Sequence, residues 1–155
     1  MADHRRERGL TLIELIVAFT ILLILTSMAV PLARVKVRYE KERELRWALR
    51  EMRTAINKYK DASDQGLLGP AKMDTEGYPE SLDVLVDGVK LAGQVDKKVR
   101  FLRRVPKDPM TNSTDWGKRS MQDDPTSQSW GGQNVFDVYT KSTDKAPDGT
   151  AYSEW

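Results

Sequence analysis

The apolar and polar positions divide the chain into three zones. Residues 10–30, LTLIELIVAFTILLILTSMAV, are apolar apart from a few hydroxyls and one charge, Glu14. At about 1.5 Å per residue such a run makes roughly 30 Å of helix, the thickness of a hydrocarbon core. A helix is required there because it satisfies its own backbone polar groups. From Leu32 to Asp61 the pattern becomes amphipathic. Leu32, Val35, Tyr39, Leu45, Leu49, Met52, Ile56 and Tyr59 recur at spacings of three and four, with one gap at Glu42. The opposite face is charged and places Glu42 and Arg46 at the favourable i, i+4 spacing. Both zones together predict one helix of about 50 residues, its second half packing one stripe on a small sheet. Pro31 falls mid-way, removes a backbone donor and is expected to bend or loosen the helix.

The third zone is mixed. Asp64-Gln65-Gly66, Gly69 and Pro70 end the helix. YPESLDVLV predicts a short helix with Pro79 near its start and Leu82, Leu85 and Val86 on one side. KLAGQVDKKVRFLRRVPKDPM reads as an irregular basic stretch, whose Pro106 and Pro109 exclude a central strand. Residues 112–132 predict an ordered loop or hairpin. NVFDVYTKS is the best strand, alternating Val135, Asp137 and Tyr139 against Phe136, Val138 and Thr140. The turn-rich tail ends in Trp155, expected to pack back. The fold class predicted is α+β, a long N-terminal helix on a small antiparallel sheet with long loops.

Composition narrows the function. The chain has 155 residues, one domain of ordinary size, and a formal net charge of +2, which argues against nucleic acid as the main partner. It has no cysteine, so disulfides, thiolate metal sites and a cysteine nucleophile are excluded. Its one histidine is His4, and no nucleophile–base set is visible, so an enzyme is not expected.

Glu14 admits three readings. The run could be a secretory signal cut after Ala29 at Ser27-Met28-Ala29, releasing a secreted binding domain. It could be a plain anchor with Glu14 reaching the interface. Or Glu14 could be functional, since a charge at the centre of a membrane segment costs about 2.5–3.5 kcal/mol and calls for a specific partner. A cut after Gly9 would give Leu10 a free α-amine able to pair with Glu14 of a neighbouring copy, offsetting that cost. Arg5, Arg6 and Arg8 favour a cytoplasmic N-terminus.

RRERG followed by LTLIELIVAFTILLILTSMAVP resembles the class III leader and first helix of type IV pilins and type II secretion pseudopilins. The resemblance implies cleavage by prepilin peptidase between Gly9 and Leu10, N-methylation of Leu10, subunit docking through Glu14 and helix perturbation at Pro31. Leu10 departs from the commoner phenylalanine or methionine. Tyr78-Pro79, Val105-Pro106-Lys107-Asp108-Pro109 and Phe136-Asp137-Val138-Tyr139 resemble the major pseudopilin of type II secretion. In this chain Met110 replaces a tryptophan of that pattern, and the loop to Trp116-Gly117 is lengthened.

The resemblance organises the chain as a prepilin leader (1–9), a transmembrane and filament-core helix (10–31), the amphipathic half of that helix (32–63) and a periplasmic globular domain (64–155). It implies a single-pass protein of the bacterial inner membrane that forms a homopolymer. Its partners would be prepilin peptidase, minor pseudopilins, an inner-membrane assembly platform and membrane lipid, with no nucleic acid. Glu14 favours a repeating subunit over a tip subunit. The expected role is a pseudopilus subunit for protein secretion; the alternative is a pilin for adhesion or motility. The resemblance also implies a structural calcium ion in the C-terminal loop, with Ser142, Asp144, Asp148 and Glu154 as ligands. The competing reading of those residues is a solvated turn at Asp148-Gly149.

Overall fold

The computed structural model describes residues 11–70 and 73–155, with only the backbone of residues 28–32, 73 and 94–96. The chain divides into two compact units, Met1–Glu40 and Lys41–Trp155. Helix α1, Leu12–Asp64, contributes to both. Its C-terminal end comes where the sequence places it, at Gly66, which takes the left-handed φ of +66° that closes a helix. The 3₁₀ turn Met73–Thr75 and helix α2, Leu82–Asp87, come next.

In the second unit α1 buries Leu45, Ala48, Leu49, Met52, Ala55 and Ile56. These pack with Leu82 and Leu85 of α2, and with Leu102, Trp116, Val135, Val138, Ala146 and Tyr152. The stripe begins later than its sequence pattern, because Val35 and Tyr39 are exposed. Its one gap is filled rather than empty. Glu42 is only 6% exposed and accepts a 2.7 Å hydrogen bond from the Tyr152 hydroxyl. The expected Glu42–Arg46 pair is therefore replaced: Arg46 instead lies over the Trp155 ring, 4.2 Å from its centroid. Trp155 packs edge-on against Tyr152, as the tail pattern predicts.

The single expected sheet is two separate antiparallel ladders. Strands β1 (Val89–Leu91) and β2 (Gln94–Val99) form the first, within the stretch expected to be irregular. Ala92 and Gly93 make the connection, and Gly93 supplies a φ of +75°. The prolines that argued against a strand lie beyond β2 and constrain only the segment after it. Strands β3 (Gly117–Arg119) and β4 (Asp137–Tyr139) form the second ladder, with Lys118 opposite Val138. That ladder bears out the strand at 137–139, whereas the 112–132 segment supplies only its partner β3 and is otherwise an ordered loop.

The lengthened loop is held from inside. Asp108 is fully buried and accepts from the Met110 N–H and from the Thr111 and Thr140 hydroxyls. Asn112 takes a φ of +58° to turn the extra residues, and its N–H donates to the Asp108 carbonyl. The chain then delivers Trp116 to the core, where its indole N–H donates to the Pro106 carbonyl at 2.8 Å. Gly117 lies flat against the Tyr139 ring, with no room for a Cβ. Asp137 joins the layers: Arg53 of α1 binds it through two nitrogens, and the buried Arg119 approaches its other side at 3.5 Å.

Candidate functional site: the N-terminal assembly segment

Thr11 caps α1. Its side-chain oxygen accepts the Glu14 N–H at 3.3 Å and its carbonyl accepts the Leu15 N–H at 3.1 Å. Thr11-Leu12-Ile13-Glu14 thus has the T-x-x-E spacing of a helix start. Glu14 falls in the first turn, where the helix dipole favours a negative charge. Among the described residues no hydrogen bond or ion pair reaches its carboxylate. Gly9 and Leu10 lie outside the described residues. The cap is one residue beyond Leu10, so a cut after Gly9 would leave it intact.

The next four turns are apolar on every side. Leu12, Ile13, Leu15, Ile16, Val17, Phe19 and Ile21 to Leu25 are all exposed. A helix apolar all round belongs in lipid or inside a larger assembly. The hydroxyls of the run are already satisfied: Thr20 donates to the Ile16 carbonyl, Thr26 to Leu22 and Ser27 to Ile24. That leaves the Glu14 carboxylate as the side chain in this run still needing a partner. Among the described residues no helix is long and apolar enough to cross a membrane. Described side chains of the run stop at Ser27, about 16 residues or roughly 24 Å of helix, against about 20 residues for a full span. The span expected over 10–31 extends past them at both ends. Pro31 lies within α1, among the residues described by backbone alone.

Residues 4–30 match the prokaryotic N-terminal methylation motif. Gly9, Leu10 and Glu14 fall inside the match. The motif is a class III prepilin leader. It implies processing by prepilin peptidase, anchoring in the inner membrane and polymerisation into a filament, as in type IV pilin-like proteins. No curated protein and no solved structure proved significantly similar to the chain.

The C-terminal loop is closed by its own hydrogen bonds. Asp148 accepts from the Thr150 hydroxyl and N–H, which hold its carboxyl below the usual range. The Ser142 hydroxyl accepts the Asp144 N–H, and the Asp144 carbonyl accepts the Tyr152 N–H. Glu154 lies exposed in the 3₁₀ turn Tyr152–Glu154. Among the described residues no group of three or more His, Cys, Asp or Glu could hold a metal ion. Asp144, Asp148 and Glu154, three of the four residues expected as calcium ligands with Ser142, are not brought together as such a group.

Two functional features escape the sequence reading. The Thr11 cap had a readable signal in its T-x-x-E spacing. The Glu42–Tyr152 bond had only the gap in the stripe, since no local pattern links residues so far apart in sequence.

Proposed function

We propose that the chain is a structural subunit of a type II secretion pseudopilus, cut after Gly9 and polymerised from the inner membrane with its globular unit in the periplasm. The observation that carries this reading is the capped, exposed apolar helix inside the methylation motif, with no partner reaching the Glu14 carboxylate among the described residues. In the filament the apolar helices would pack together, and each Glu14 would meet the α-amine of a neighbour's Leu10. The role is structural rather than catalytic. Secretion is favoured over a pilus by the globular likenesses, which fall at structural keystones. The Pro79 carbonyl accepts the Val135 N–H, Asp108 fastens the long loop, and Asp137 binds both arginines.

Disruption of the gene in the host tests the role. Secreted proteins should accumulate in the periplasm while surface pili and twitching motility persist. Loss of pili with normal secretion would assign the subunit to a pilus instead. Replacing Glu14 with Leu should leave the chain processed and membrane-bound but unable to assemble.

A further inference from the structure

The outer side of α1 in the second unit borders a groove that the assembly segment does not use. Its volume is about 410 Å³, and its lining includes Trp47, Arg50, Glu51, Lys58, Phe101 and Arg103. Trp47 is 60% exposed, unusual for an indole beside so many charges. The chain supplying the far wall belongs to the most basic stretch of the protein. Residues 97–107, KKVRFLRRVPK, carry six cations and no acid, and all six are exposed. The same unit carries the counterpart. Residues 74–87, DTEGYPESLDVLVD, carry five acids and no cation, and all five are exposed. Asp83 and Asp87 stand on successive turns of α2, and among the described residues no hydrogen bond or ion pair reaches them.

We propose that this groove is a docking site for a second copy of the chain, taking the acidic outer face of the partner's α2 against Trp47, Arg50 and Arg103. The inference rests on the polymer reading and names the surfaces by which globular units meet. An exposed tryptophan flanked by arginines has the composition of an interface hot spot. The two patches oppose each other in charge, yet the whole chain is close to neutral at +2, so each copy brings its own complement. Because groove and ridge are different surfaces, the contact is heterologous. It repeats head to tail and propagates an open helical array instead of closing a dimer. Anionic lipid would satisfy the groove's charge but would leave the acidic ridge unused.

The test uses the full chain in its host, with filaments sheared from cells and collected by sedimentation. Arg103→Glu or Asp83→Lys alone should cut sedimentable filament at least about tenfold through like-charge repulsion. The double variant should restore most of it. Because the chain has no cysteine, Arg50→Cys combined with Asp83→Cys gives a clean oxidative cross-link, expected as a ladder of multimers from intact filaments. Filaments formed at the wild-type level by each single reversal, or filaments of the cysteine pair that give no ladder, would overturn the contact and leave the polymer reading standing. Absence of any wild-type filament, with the mature chain present, would sink both. Intact filaments from Arg103→Glu that no longer bind phosphatidylglycerol vesicles would overturn the contact in favour of lipid.

Discussion

Tyr152→Phe removes one oxygen and leaves a buried carboxylate without its donor. Tyr152 is 2% exposed and Glu42 6%, so water cannot readily take the hydroxyl's place. A hydrogen bond to a charged group contributes about 1.5–3 kcal/mol, and losing one partner of a buried pair tends to the upper end. For a unit the size of Lys41–Trp155, about 4 °C per kcal/mol gives a fall in Tm of roughly 6–12 °C. Tryptophan fluorescence of the full chain in detergent would follow the melt. Tyr39→Phe serves as control, since Tyr39 is 63% exposed and its loss should cost within about 0.5 kcal/mol. The double variant Glu42→Leu with Tyr152→Phe removes both polar partners and should recover part of the loss, because no uncompensated charge remains. A Tyr152→Phe fall of under about 2 °C, no larger than that of the control, would refute the claim that the gap in the helix stripe is an anchoring point.

Other regions give equally direct expectations. Gly117→Ala would put a Cβ within 2.3–2.7 Å of the Tyr139 ring, whose hydroxyl is held by the Gln128 carbonyl. The overpacking should cost about 1–3 kcal/mol, read by urea denaturation. The backbone N–H groups of Ser120 and Gly131 hold Asp123 below the usual carboxylate range. Its folded pKa therefore lies below its unfolded one. Its stabilisation is present above about pH 4 and is lost as pH falls through the folded value. Asp115, held down by the Lys141 ammonium, and Asp148 follow the same sign, so stability should drop on acidification below about pH 4, less steeply in Asp123→Asn. The C-terminal loop is already closed by Asp148 and Thr150, so calcium should leave Tm unchanged. A dose-dependent rise would show that the loop rearranges to bind the ion.

Much of the architecture was legible because it rests on local rules. The α1 stripe follows helical spacing, α2 follows its turn signals, and β4 follows strict alternation. The first ladder was missed because the basic residues of β2 and its two prolines downstream masked a short turn at Ala92-Gly93. The interior of the long loop was hidden for a different reason. Asp108 and Thr140 meet only after the chain has folded back, and nothing local marks an aspartate that will be fully buried. At the N-terminus the chemistry was plain, because one carboxylate in an apolar run is expensive wherever the run ends up. The C-terminal acids illustrate the converse. A short acidic stretch looks the same in sequence whether it gathers around an ion or closes a turn, as Asp148 does by accepting from Thr150.

The central claim is that this chain is made as a prepilin and processed into a filament subunit. The most direct measurement is the intact mass of the mature protein recovered from its host. The account predicts a chain that begins at Leu10 and carries one added methyl group. A chain beginning at Val30 would contradict it, since the apolar helix and Glu14 would then be discarded before any assembly.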